Sequence, residues 1–251
     1  MPDTSTVHSS PLDHPLSDIA RRLSAEAGAL TFSPPVTHVY NPLEYAWEAH
    51  AAYLRRYGSR PREVVLLGMN PGPWGMAQTG VPFGEIESAR DWLGIVAPVG
   101  RPEPEHPKRP VHGFECSRSE VSGRRLWGWA RSISGTPDAF FDRFFVANYC
   151  PLAFMEASGK NRTPDRLPTA EKRPLFEACD RALRETVVAL GARTVVGIGR
   201  FAEDRAREAL AGAGPAIGRI THPSPANPAA NAGWQQLVEG EFRALGIELP
   251  V

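Results

Sequence analysis

Three polar side chains stand where this chain leaves short apolar runs for loops, and their types limit the chemistry on offer. Asn70 follows residues 63–67 in REVVLLGMNPGP, Asn148 lies in the run FFVANYC, and His222 opens HPSP just after residues 218–221. An amide orients water or reads the donor–acceptor edge of a ligand, but it cannot take a proton at neutral pH. An imidazole donates a hydrogen bond or carries charge. Within these motifs no carboxylate sits beside them, no Ser or Cys pairs with the histidine as nucleophile, and no Gly-Lys-Ser phosphate loop occurs. Each residue also has a plain structural reading. Asn before Pro is a common turn residue, and a histidine before Pro can merely order its loop. Asn148, inside an apolar run where an unpaired amide is costly, either satisfies a neighbouring backbone group or reads a ligand.

The surrounding pattern predicts that the three meet. Residues 63–67 form an apolar run rich in β-branched residues, stopped by Gly68-Met69-Asn70-Pro71-Gly72-Pro73, where Gly and Pro end any regular element. Residues 144–150, 193–198 and 218–221 read as three further strands. Helical periodicity appears over 16–27, 171–190, 201–210 and 234–245. Asn41-Pro42-Leu43-Glu44 has the form of a capped helix start, with the helix running to Gly58 and His50 a hydrogen-bonded histidine on its apolar face. Ser117 to Glu120 has capping-box spacing ahead of VSGRRLWGWARSI. FSPPVTHVY reads as an extended linker, FMEASGKNRTPDRLP as a loop, and the Pro-rich stretch 98–113 as a surface excursion. Alternating strands and helices predict a three-layer α/β/α sandwich around a four-stranded, mainly parallel sheet. Ligands bind such sheets at the carboxyl edge, where Asn70, Asn148 and His222 all fall.

Composition removes several classes of function. With 251 residues and 42% hydrophobic content, a single domain over 16–251 can bury a full core, behind a disordered lead-in over 1–15. Lys+Arg and Asp+Glu both number 28, so a polyanionic partner must be met by local basic clusters. No apolar run reaches membrane-spanning length, and MPDTSTVHSSPLDHP lacks the basic-then-apolar order of a signal peptide. Cys116, Cys150 and Cys179 are too few for a four-thiolate cluster and suit an intracellular protein without disulfides. His106, His112 and Cys116 fit no metal-ligand spacing, so neither metal nor cofactor is expected.

GMNPGPWGMAQTGVPFGE, ANYCPL, SGKNRTP and HPSPANPAANAGW, in this order, resemble the single-strand-selective monofunctional uracil-DNA glycosylases of the uracil-DNA glycosylase superfamily, from about Ser17 to the C-terminus. The resemblance implies a monomer that hydrolyses the N-glycosidic bond of uracil and 5-substituted uracils in single- and double-stranded DNA, leaving an abasic site. It implies that Phe83 stacks under a flipped base, that Asn148 reads uracil N3–H and O4, and that Asn70 positions water. With no base at hand, the bond must break before water attacks, and His222 is the implied stabiliser of charge on uracil O2. Gly72 stands where uracil-specific relatives carry a Tyr that crowds C5, which implies room for a hydroxymethyl group. Met69 and Met76 line the pocket or pack the core.

The resemblance departs at Ala226, where family members carry a bulky Arg thought to wedge into the gap left by the flipped base. Weaker action on well-paired duplex is therefore expected. Ser224, Pro225, Ala226 and Asn227 are expected to face DNA, with phosphate contacts from Lys108, Arg109, Arg118, Arg124, Arg125, Lys160 and Arg162. Two other readings stay open: a module that binds damaged bases without cutting, and a glycosylase retuned to deaminated purines such as hypoxanthine or xanthine.

Overall fold

The structure, a computed structural model, describes residues 14–250. The expected lead-in lies outside the described residues except for His14 and Pro15, which belong to the first helix. His14 accepts the Leu16 amide and Pro15 opens the helix. In chain order the elements are α1 (Pro15–Gly28), β1 (Val36–Tyr40), α2 (Pro42–Tyr45), α3 (Trp47–Tyr57), β2 (Val64–Gly68), α4 (Met76–Thr79), α5 (Val121–Ser134) and α6 (Pro137–Phe141). They continue with β3 (Phe144–Asn148), β4 (Ala153–Glu156), β5 (Asn161–Arg162), α7 (Thr169–Leu190), β6 (Thr194–Ile198), α8 (Arg200–Ala209), β7 (Ala216–Ile220), α9 (Pro228–Asn231) and α10 (Trp234–Ala244).

The expected sheet is present as β3-β2-β6-β7, with every neighbouring pair parallel. Every residue of β2 is buried, as a central strand covered on both faces requires. Two glycines identify the covers. A methyl group at Gly197 would strike the backbone of α8 at Ala202 and Glu203, while one at Gly218 would strike Leu245 at the end of α10. Gly218 pairs with Val196, one residue from Gly197, so the two glycines point to opposite faces. Helices therefore lie on both sides, and the three-layer α/β/α architecture holds.

Four local expectations change in whole or in part. The linker and the loop instead form a second, antiparallel sheet in the order β1-β4-β5, pairing Val36 with Glu156 across almost half of the chain. Such pairing leaves little local signal in strands this short. The helix expected from Asn41 to Gly58 breaks at Ala46, and Asn41 caps nothing; its amide donates to the Ser24 carbonyl and hydroxyl at 3.1 and 2.9 Å, tying α2 to α1. The Pro-rich excursion does run along the surface, with residues such as Arg101, Glu103, Lys108 and His112 exposed, but it is pinned inward at His106 and Val111, which are buried. Side chains supply the partners that a Pro-rich backbone cannot find in itself. Tyr40 donates to Arg109 O and accepts from His106 N–H, and Gln78 bridges Pro110 O and His112 N–H. Finally, Glu120 holds the N-cap position of α5 without capping it.

Candidate active site

β2 and β3 run in register so that Gly68 lies beside Asn148 at the carboxyl edge of the sheet. A methyl at Gly68 would overlap both Asn148 Oδ1 and the Phe83 ring, so only glycine lets the amide and the ring meet there. Phe83 is the single non-glycine residue with positive φ (52°) among those described. Trp127 Nε1 donates to its carbonyl at 3.0 Å, and α5 comes close enough that a methyl at Gly123 would strike the same oxygen. The strained backbone is thus held by a buried helix. Its ring centroid lies 6.3 Å from that of His222.

Asn148 Nδ2 faces Met76 Sδ at 3.2 Å. Met76 is buried behind the amide and backs it without lining the cleft, so of its two expected roles it takes the packing one. Asn70 donates through Nδ2 to Leu152 O at 3.0 Å, leaving Oδ1 as its acceptor. His222 receives the Ser224 N–H on Nδ1 at 3.0 Å, which places the ring proton on Nε2. Burial pulls its pKa down to about 4, so the imidazole is neutral at physiological pH.

These residues line one cleft with an empty volume of about 870 Å³, walled by Met69, Asn70, Gly72, Pro73, Phe83, Glu120, Ser122, Asn148, Asn161, Thr163, His222 and Ser224. Sequence reasoning found Met69, Asn70, Gly72, Phe83, Asn148, His222 and Ser224. It missed Asn161 and Thr163, which reach the cleft through the unforeseen second sheet. It also missed Glu120, reading its spacing as a cap. A carboxylate does therefore share the site, with burial and the nearby Glu85 charge pushing its pKa up to about 7.

The basic residues divide. Around Gly159, in the β4–β5 turn, Lys108 and Arg109 close up beside Lys160, next to the cleft residue Asn161. Arg109 and Arg118 lie over the Trp74 ring at 5.3 and 4.6 Å. Arg124 is exposed and donates to Ser119 Oγ. Arg125 is committed within the protein, donating to Pro223 O at 2.9 Å and Asn231 Oδ1 at 2.8 Å, so it braces the HPSP loop. Arg162 likewise bonds Glu156 and Arg166 O. Asn227 is a helix cap for α9 through Oδ1, and Pro225 and Ala226 form the exposed tip of the loop. His106 bonds Glu156 O and Lys108 N–H, and no group of His, Cys, Asp or Glu among the described residues could hold a metal.

A parallel sheet thus carries two amides, an aromatic ring and a neutral imidazole to one cleft at its carboxyl edge, the architecture of an α/β protein with its site at the strand ends. The model of the uracil DNA glycosylase superfamily matches residues 56–238, and the chain belongs to that superfamily. Within it, the chain is 52% identical over 228 residues to the single-strand selective monofunctional uracil DNA glycosylase of Mus musculus, covering 90% of this chain and 82% of that one. It is 53% identical, with the same coverage, to the single-strand selective monofunctional uracil-DNA glycosylase of Rattus norvegicus. The fold also matches the crystal structure of wild-type SMUG2 of Pedobacter heparinus, with a TM-score of 0.66, 19% identity and coverage of 91% of this chain and 97% of that chain. No helix among the described residues is long and apolar enough to cross a membrane.

Proposed function

We propose that this chain is a monofunctional glycosylase of base-excision repair. It hydrolyses the bond between deoxyribose and uracil, or a 5-substituted uracil such as 5-hydroxymethyluracil, in DNA, and leaves an abasic site. The observation that carries the reading is the convergence of Asn148, Phe83, Asn70 and His222 on one cleft, the three polar side chains each with a committed hydrogen-bonding direction. The target base leaves the stack and enters the cleft over the Phe83 ring. Asn148 accepts from N3–H through Oδ1 and donates to O4 through Nδ2; cytosine presents the reverse pattern.

With Nδ2 of Asn70 tied to Leu152 O, its Oδ1 orients the attacking water. An amide removes no proton, so the glycosidic bond lengthens first and water captures an oxocarbenium-like sugar. Negative charge then builds on uracil O2, and the Nε2–H of neutral His222 stabilises it. A neutral donor already oriented by Ser224 needs no change of protonation during the step. Among the described residues no lysine lines the cleft, which favours water as the nucleophile and a product strand that keeps its abasic sugar.

The test is alkali-dependent scission of single-stranded and duplex oligonucleotides carrying uracil, 5-hydroxymethyluracil or hypoxanthine. Cleavage of both uracils is expected, falling ~10²–10³-fold in His222→Ala and at least comparably in Asn70→Ala. Cleavage of hypoxanthine alone would move the protein to a retuned branch. Tight binding to uracil-containing DNA without scission would make it a binding module.

A further inference from the structure

Glu120 is the one carboxylate among the described residues of the cleft, and its surroundings are built around it. A methyl at Gly72 would overlap Oε1, and a methyl at Gly75 would overlap Oε2, so the carboxyl rests against the α-carbons of two glycines. It makes no ion pair and no capping bond. Nearby Glu85 has its own partners in Ser88 and Ser119, and Arg124 reaches Ser119 rather than Glu120. A half-buried carboxyl that faces an open cleft with no hydrogen-bond partner from the protein is free to bond a ligand group there.

The geometry assigns that ligand group. Asn148 turns Nδ2 toward Met76, and that nitrogen is the donor to O4 of a pyrimidine. Gly75, which precedes Met76 in the chain, lies under the carboxyl. Glu120 therefore borders the O4 edge of the base, and the ring atom next to C4 on that edge is C5. Asn70 and His222 serve the opposite, glycosidic end.

Building on the glycosylase reading, we propose that the Glu120 carboxyl recognises the C5 substituent of the flipped base, accepting 5-hydroxymethyluracil and rejecting thymine. A C5 hydroxyl donates to the carboxylate or accepts from the acid, so the bond forms in either protonation state, with the pKa near 7. A C5 methyl fills the same space, expels water and leaves the carboxyl unpaired. Uracil, bearing only hydrogen at C5, imposes neither effect. Gly72 thus does more than leave room at C5: it makes room for the group that reads C5.

The test compares kcat/KM on single-stranded oligonucleotides carrying uracil, 5-hydroxymethyluracil or thymine, for the wild type, Glu120→Gln and Glu120→Met. Glu120→Met should lower the hydroxymethyluracil-to-uracil ratio by about tenfold or more and make thymine cleavage detectable. Glu120→Gln, whose amide still donates and accepts, should keep the ratio within about threefold of wild type. An unchanged ratio in Glu120→Met overturns the proposal. So does an equal loss on all substrates in both variants, which would mean a purely structural role. A wild-type protein that cleaves none of the three strands fails the glycosylase reading itself, a result distinct from either.

Discussion

Gly68 carries no functional group, yet it controls how two side chains of the cleft meet. The overlap of any β-carbon with Asn148 Oδ1 and the Phe83 ring means that Gly68→Ala must push the reading amide off the stacking ring. Misplacement on the scale of an ångström costs about 10²-fold in rate, while overpacking at one position costs ~1–3 kcal/mol. We expect Gly68→Ala to lose about 100-fold in single-turnover uracil excision while remaining folded in urea titrations. A loss of stability alone, with activity kept, would show that the amide tolerates displacement. The same reasoning explains why Asn148 reads as a ligand-facing residue: its Nδ2 has only a thioether partner, a weak acceptor that a base oxygen improves on.

Among the elements, the HPSP loop is held by its neighbours at every point but its tip. Arg125 of α5 braces the loop through Pro223 O and Asn231, Asn227 caps α9, and Ser224 fixes the His222 tautomer. That leaves the exposed tip, Pro225 and Ala226, to face whatever approaches the cleft. Alanine has no bulk with which to hold open a base stack. Ala226→Arg should therefore raise excision from fully paired duplex by about tenfold, with little change on single strands, in a side-by-side rate comparison. A gain of equal size on both substrates would point to phosphate attraction instead of wedging. Behind the sheet edge, the residue after Asn148 is secured separately: Tyr149 donates to Asp180 at 2.6 Å, and Arg205 bonds both.

The whole molecule carries opposing proton linkages. Buried His50, bonded to Gly80 O at 2.8 Å, has its pKa lowered to about 4, so between pH 6.5 and 4 the unfolded chain takes up a proton that the folded chain refuses. Stability falls as pH drops through that window, by ~3 kcal/mol for this residue. Glu120 acts the other way. Its folded pKa near 7 means that the folded chain holds the proton more tightly between pH 4.5 and 7, so stability falls as pH rises through that range, by ~1–3 kcal/mol. The two partly cancel in the wild type, while His222, its pKa also lowered by burial to about 4, adds to the loss in acid. Glu120→Gln should be more stable than wild type above pH 7, nearly equal to it below pH 4.5, and should show a steeper acid loss, all measurable as urea midpoints across pH. Equal midpoints above pH 7 would mean that Glu120 ionises without cost. Zero net charge meanwhile means that basic surface is local, as where Lys108, Arg109 and Lys160 gather at the cleft border, the phosphate contacts we propose.

Much of this was written in local sequence. Apolar runs ending in Gly, Asn and Pro mark the strands of the parallel sheet and their carboxyl ends, because burial on both faces and the breaking of regular backbone are properties of neighbouring residues. Asn70, Asn148 and His222 were legible for that reason. The second sheet, the inward anchoring of the Pro-rich stretch at His106 and Val111, and the bracing role of Arg125 were not, since each depends on partners far away in the chain. Glu120 is the sharpest case. Its spacing from Ser117 spells a helix cap, and only the close approach of Gly72 and Gly75 turns its carboxyl into the cleft. Steric fit between segments fifty residues apart leaves no periodicity to read; it exists only once the chain has folded.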